Sequence, residues 1–209
     1  MEEPNEIRSA EAGQSPAASK SKRDFSGAIL EYVELFTICL CVIMFVFALG
    51  NRLCRVSGDS MLPTLKNQQL LLVSDMFYEP EGGDIIVFHQ TSNDDPRFNE
   101  PIVKRVIATE GQRVVIDFKN KQVSVDGTPL QEDYIQLIYD GNYRIYAEYN
   151  MSGGIFEATV PENCVFVMGD NRNNSTDSRA SVIGFVDCRR ILGKVILRLT
   201  PLEVAGPIN

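Results

Sequence analysis

The sequence predicts an all-β, or mainly β, domain over residues 52–209, built as a barrel or sandwich and preceded by one membrane-crossing helix. Two observations predict this architecture. Residues 35–51 form a run of 17 without a formal charge, close to the lower limit for crossing about 30 Å of hydrocarbon at 1.5 Å per residue. Beyond it the chain changes to short β-type runs punctuated by turn residues, the pattern of an all-β domain.

Taken in order, residues 1–26 are rich in Glu, Ser, Ala, Gly and Pro. Such a segment buries too little apolar surface to offset its ordering entropy, so a disordered tail is expected. Residues 28–51 are expected to form the anchor helix. A cleaved secretory signal and a buried core helix compete with that reading. The leader is long and acidic where a secretory signal has a short basic one, although Ala48-Leu49-Gly50 resembles a cleavage site. A core helix would show a polar face, and Phe36 to Leu49 presents none. Lys20, Lys22 and Arg23 before the helix are matched by Arg52, Arg55 and Lys66 after it, so flanking charge does not decide the orientation.

The expected strands are Gln69–Ser74, Asp84–His89, Ile102–Thr109, Arg113–Phe118, Gln122–Val125, Tyr143–Tyr149, Ile155–Thr159, Cys164–Met168 and Ile191–Leu199. Gly82-Gly83-Asp84, Asp126-Gly127 and Asp140-Gly141 supply turns between them.

Composition narrows the function. A net charge of -8 without a long Lys/Arg run argues against a nucleic-acid partner, because phosphate binding needs a basic footprint. One histidine, His89, and no Cys-x-x-Cys pair leave no ligand set for a metal. Of the five cysteines, Cys39 and Cys41 lie in the apolar run and Cys54, Cys164 and Cys188 beyond it. Reduced, buried thiols are the expectation, with a Cys164–Cys188 bridge as the alternative.

Three stretches hold candidate chemistry. In Gly58-Asp59-Ser60-Met61-Leu62-Pro63, glycine allows a substrate backbone to approach and proline stiffens the turn after Ser60. Taken alone, such a match is an ordinary loop serine, and the motif needs company. A nucleophilic serine needs a base, and His89, at the end of a strand, is a weak candidate. Lysine serves instead if it is neutral when it accepts the proton. Lys104 lies in Ile102-Val103-Lys104-Arg105-Val106-Ile107, where alternation sets it on the apolar face of Ile102, Val106 and Ala108. Lowering a lysine from about 10.4 toward 7 or 8 by desolvation corresponds to roughly 4 kcal/mol. A strand lysine reaching out to water is the plain alternative, and Arg105 on the other face is expected to do so. The third stretch, Met168 to Arg179, is a polar, Asn-rich loop. A plain solvent loop has this composition too; as chemistry it can supply Ser175 to hydrogen-bond the lysine, and Asp177 and Arg179 to pair and fix the loop.

Together these stretches resemble the type I signal peptidase family, membrane-bound Ser/Lys proteases, in its Gram-positive form. Gly58 to Leu65 resembles the nucleophile box, Gly83 to Phe88 a Gly-Asp-apolar strand box, Lys104-Arg105-Val106 the base box, and Gly169 to Arg179 with Gly184-Phe185-Val186 the loop box. The resemblance runs from the anchor to about residue 197. It implies a serine endopeptidase with Ser60 as nucleophile and Lys104 as general base, Ser175 on the base, and Asp177 and Arg179 as the supporting pair. It places Val56, Met61, Leu65, Ile102 and Val103 around the specificity pockets. Gly58 stands where other members carry an oxyanion-hole serine, leaving the Ser60 N–H as donor. The sequence departs from the family after the base, where Ala108-Thr109-Glu110-Gly111-Gln112 replaces Gly-x-Pro-Gly-Asp and leaves that turn open.

The resemblance further implies secreted preproteins as partners, cut after signal peptides with small residues at the first and third positions before the cut. It implies no cofactor, contact with membrane lipid, and a monomeric single-pass protein of the cell membrane with a cytoplasmic N-terminus and an extracytoplasmic catalytic domain. At most about ten residues separate the anchor from Ser60, an extended reach near 33 Å, which keeps the site close to the bilayer. A soluble Ser/Lys protease of the self-cleaving repressor kind, and an anchored module that binds signal peptides without cutting them, are the rival readings. The apolar segment speaks against the first, and the pairing of Ser60 with Lys104 against the second.

Overall fold

The computed structural model describes residues 25–48, 50–90, 100–135 and 154–208. The expected strand Tyr143–Tyr149, the Asp140-Gly141 turn and residues 1–24 of the expected tail lie outside them. Helix α1 runs from Phe25 to Ala48, starting and stopping about three residues earlier than the apolar run suggested. Gly50, at φ +82°, supplies the left-handed conformation that commonly ends a helix, and Asn51 opens a strand rather than closing the anchor. Its segment Gly27–Ala48 is long and apolar enough to cross a membrane, and its large side chains, Phe36 and Phe45 among them, are exposed.

The rest of the described chain is mainly β. In chain order the strands are β1 (Asn51–Arg55), β2 (Leu70–Ser74), β3 (Ile85–His89), β4 (Pro101–Thr109), β5 (Arg113–Asp117), β6 (Gln122–Val125), β7 (Thr128–Pro129), β8 (Ile155–Thr159), β9 (Cys164–Met168), β10 (Val186–Asp187), β11 (Ile191–Arg198) and β12 (Gly206–Pro207). A half-barrel sheet has the order β1-β2-β11-β3-β4-β9-β10, with β12 beside β11, and a second sheet the order β7-β6-β5-β8. Every pairing is antiparallel.

Strand β4 lies between β3 and β9 and is buried from Val103 to Ala108. Its residues reach three apolar clusters. Val103 packs with Met61, Leu65, Leu71 and Val87, Val106 with Ile86, Phe88 and Val167, and Ile107 and Ala108 with Val114, Ile116 and Phe156 of the second sheet. A strand covered on both faces sends neither alternate set of side chains to water. Arg105 is therefore 3% exposed and does not reach solvent, contrary to the expectation from alternation. The turn after β4, left open by the sequence, closes through Gln112, whose Oε1 accepts from the Thr109 N–H at 2.8 Å and the Thr109 hydroxyl at 3.2 Å.

Candidate active site

Ser60 sits in the turn that follows β1, within a segment closed by the Leu62 N–H on the Asp59 carbonyl and the Leu65 N–H on the Met61 carbonyl. Gly58, two residues before it, is exposed at φ +84°, a conformation that glycine adopts at no steric cost. Its N–H donates to Asn67 Oδ1 at 3.1 Å. Lys104 reaches the same point from the middle of β4. Its Nζ lies 2.7 Å from Ser60 Oγ and also donates to the Val103 carbonyl at 3.0 Å. The lysine is 3% exposed.

Burial pulls the Lys104 amine down to about 8, with Arg179 acting in the same sense and Asp177 and Asp170 opposing. Loss of water around an ammonium favours the neutral amine. Roughly one amine in ten is then neutral at pH 7 and half at pH 8. An unprotonated amine at hydrogen-bond distance from a hydroxyl is a competent general base for it.

The loop from Gly169 to Arg179 frames this pair. Asn171 ties down the Ser60 segment, its backbone N–H donating to the Ser60 carbonyl at 3.0 Å and its Nδ2 to the Asp59 carbonyl at 3.0 Å. Asp177 and Arg179 form a buried, two-pronged ion pair at 2.8 Å on each prong. Burial pushes the Asp177 carboxyl upward, but the Arg179 guanidinium and the Gly169 N–H outweigh it and hold it below the usual carboxylate range. Ser175 does not bond the lysine, which is committed to Ser60 and Val103. The Ser175 Oγ is buried with no hydrogen bond of good geometry, although its nearness to Asp177 helps hold that carboxyl down. It packs instead on Gly169, where an added Cβ would stand 2.2 Å from Ser175 Oγ and 2.5 Å from the Ser60 carbonyl.

A cavity of about 110 Å³ opens beside Ser60, lined by Val56, Ser57, Met61, Glu100, Pro101, Ile102 and Val103. Leu65, grouped with these from the sequence, is fully buried in the core and does not line the cavity. His89 is exposed at the end of β3, opposite Pro101 and apart from the pair. Cys54, Cys164 and Cys188 are free thiols.

Asp170 escaped the sequence reading. It is fully buried and accepts two bonds from Arg105 at 3.0 and 2.9 Å and one from the Thr64 hydroxyl at 2.5 Å. Arg105 also donates to the Gly83 carbonyl at 2.8 Å and stacks 3.9 Å from the Tyr134 ring centre. One ion pair thus clamps strand β4, the segment after Ser60 and the loop together. The only sequence signal for it was the Gly-Asp-Asn start of the loop next to the lysine's own neighbour.

The profile of the family described as signal peptidase, peptidase S26, matches residues 29–200. The chain belongs to this family. It is 35% identical over 205 residues to a signal peptidase I of Leptolyngbya laminosa, covering 93% of this chain and 90% of that one. A signal peptidase I of Bacillus caldolyticus is 35% identical over 173 residues, covering 79% and 87%, and signal peptidase IB of Staphylococcus aureus strain COL is 30% identical over 190 residues, covering 84% and 91%. A crystal structure of a signal peptidase I from Enterococcus faecalis V583 aligns with a TM-score of 0.40 at 30% identity, over 56% of this chain and 97% of its own. Among S26 peptidases a serine with a lysine base is the expected machinery, and Ser60 and Lys104 are the pair that this chain brings together at hydrogen-bond distance.

Proposed function

We propose that this chain is a membrane-anchored serine endopeptidase, a signal peptidase I, that removes N-terminal signal peptides from exported preproteins. The observation that carries the reading is the 2.7 Å contact between Ser60 Oγ and a buried lysine amine lowered to about 8. The neutral Lys104 Nζ takes the Ser60 hydroxyl proton as Oγ attacks the scissile carbonyl carbon. The Ser60 N–H donates to the oxyanion, a contribution of about 2.7 to 4 kcal/mol for one such donor. As the C–N bond breaks, the proton held on Nζ passes to the departing amine, the new N-terminus of the mature protein. Water then attacks the Ser60 ester while Nζ takes its proton, and the released signal-peptide carboxyl and free hydroxyl complete the cycle.

The cavity of about 110 Å³ beside Ser60 is far below the roughly 300–1,000 Å³ of pockets for drug-sized ligands. That size favours small side chains before the cut, with Val56, Met61, Ile102 and Val103 as its apolar wall. Ser175, Asp177 and Arg179 support the base through the loop. Helix α1 is the single-pass anchor in the cell membrane, with the residues before it as a cytoplasmic tail and residues 52–209 as an extracytoplasmic catalytic domain acting as a monomer. A long folded domain crosses largely regardless of flanking charge, and exported substrates present their cleavage sites on that side.

Purified protein is incubated with a preprotein and compared with Ser60→Ala and Lys104→Met. Cleavage by wild type alone is expected. Cleavage retained by either variant removes that residue from the mechanism, and no cleavage by wild type leaves a signal-peptide binder.

A further inference from the structure

The wall of the cavity beside Ser60 carries a single titratable group. Apart from the hydroxyls of Ser57 and Ser60, its other side chains are apolar, and Glu100 is the one acid among them. Glu100 is exposed and immediately precedes β4. Among the described residues no cation stands in ion-pair contact with it. A carboxylate exposed at the rim of an apolar cavity, with no partner of its own, meets whatever charge a bound peptide brings there.

The strand that bears Lys104 also sets how far Glu100 stands from the reacting atoms. Strand β3 pairs with β4 from Pro101 to Arg105, whereas β9 joins the other edge only from Arg105 to Thr109. On that side the edge from Pro101 to Lys104 has no strand beside it among the described residues, and Pro101, Ile102 and Val103 wall the cavity. An extended peptide laid along such an edge hydrogen-bonds through its backbone and turns its side chains alternately toward and away from the wall. With the scissile bond at Ser60 Oγ and Lys104 Nζ, the position level with Glu100 lies four residues back along β4, about 13 Å at 3.3 Å per residue. Under the proposed function the small side chains before the cut enter this cavity, so the part of the substrate before the cut is the part that runs past Glu100. Its fourth or fifth residue before the cut comes level with the carboxylate. A long side chain there stands outside the cavity of about 110 Å³.

We infer that Glu100 is a specificity-determining residue: it favours substrates with a lysine or arginine at the fourth or fifth position before the cut and disfavours those with an aspartate or glutamate there. The inference rests on the signal peptidase reading, and its test separates the two. A basic side chain at that position lays its methylene stem on the apolar wall and brings its charge to the carboxylate, while an acidic one meets like charge. An exposed pair of this kind changes affinity by up to about 5-fold and weakens as salt screens it.

The full chain in detergent is assayed on a signal-peptide series in which each position from the second to the sixth before the cut is Lys, Gln or Glu in turn. Wild type is expected to show a kcat/KM roughly 5- to 10-fold higher for Lys than for Glu at the fourth or fifth position, carried in KM and shrinking in about 0.5 M salt. Glu100→Gln should bring that ratio close to one, and Glu100→Lys should invert it. Asp59→Asn, which alters an exposed acid next to Ser60 but outside the cavity wall, should leave the ratio in place. A wild-type ratio near one at those positions, or a ratio that survives Glu100→Gln, overturns the inference and leaves the peptidase standing. Loss of the ratio in Asp59→Asn assigns the preference to a general negative field and also counts against Glu100. No cleavage of any peptide in the series by wild type overturns the peptidase reading itself.

Discussion

Replacing Lys104 by methionine is expected to abolish cleavage and to change how stability depends on pH. The amine falls from its ordinary value near 10.5 to about 8 because it is buried. At about 1.4 kcal/mol per pH unit this corresponds to about 3 kcal/mol of lost stability while the folded amine is protonated. Between pH 8 and 10.5 the unfolded chain keeps this proton and the folded chain does not, so wild-type stability rises with pH across that window. Methionine, of similar length and uncharged, removes the rise. Below pH 8 the variant escapes the burial penalty but loses two hydrogen bonds, to Ser60 Oγ and the Val103 carbonyl, each worth about 1 kcal/mol net. A net gain of about 1 kcal/mol at pH 6 is expected. Urea unfolding of the detergent-solubilised protein at pH 6, 8 and 10 measures it. A difference between wild type and variant that stays constant over that range would falsify the neutral-lysine reasoning, as would a wild-type pH profile of kcat/KM without an inflection near 8.

Other perturbations test the surrounding charges and contacts. Arg179→Met removes a cation that lowers the lysine and leaves Asp177 buried and unpaired, so the kinetic inflection should move to higher pH and unfolding should become easier by about 3 to 5 kcal/mol. Asp170→Asn should move the inflection the opposite way, because Asp170 raises the amine, while weakening the Arg105 clamp; a pH series of kcat/KM with a melting curve reads both. Gly169→Ala forces a Cβ against Ser175 and the Ser60 carbonyl and should lower kcat by about 100-fold, the penalty typical of ångström-scale misplacement. Adding Ser175→Ala should restore only part of that rate, because the clash with the Ser60 carbonyl remains. Phe77→Gly relieves a left-handed backbone at φ +52°, for which about 1 to 2 kcal/mol is typical, offset in part by the entropy of an unfolded glycine. The detergent-solubilised enzyme should therefore melt slightly higher.

The long apolar run and the strands bearing regular alternation were legible in the sequence, because periodicity and turn residues specify them locally. Strand β1 was not. Its composition, Asn-Arg-Leu-Cys-Arg, has little β character, and it forms by pairing with β2 nineteen residues later, from Arg55 opposite Leu70 onward. Ser60 and Lys104 were legible as residue types, while their 2.7 Å separation depends on β4 being central. Arg105 was misread for that same reason. Alternation tells which residues share a face but not whether both faces are covered, and β4 carries apolar clusters on each. Asp170 and Asn171 act through partners far away in sequence, at Arg105, Thr64, Asp59 and Ser60, and no local pattern announces such pairings.

The segment from Gly169 to Arg179 touches both Ser60 and Lys104 by different means. At Asn171 it fixes where the hydroxyl stands, and at Asp177 and Arg179 it sets how readily the amine gives up its proton. A shift anywhere along those eleven positions therefore disturbs placement and basicity in the same stroke. Damage from paired substitutions there will not sum, and changes are more easily accommodated at the cavity wall formed by Val56, Ile102 and Val103 than in the segment that holds Ser60 and Lys104 together.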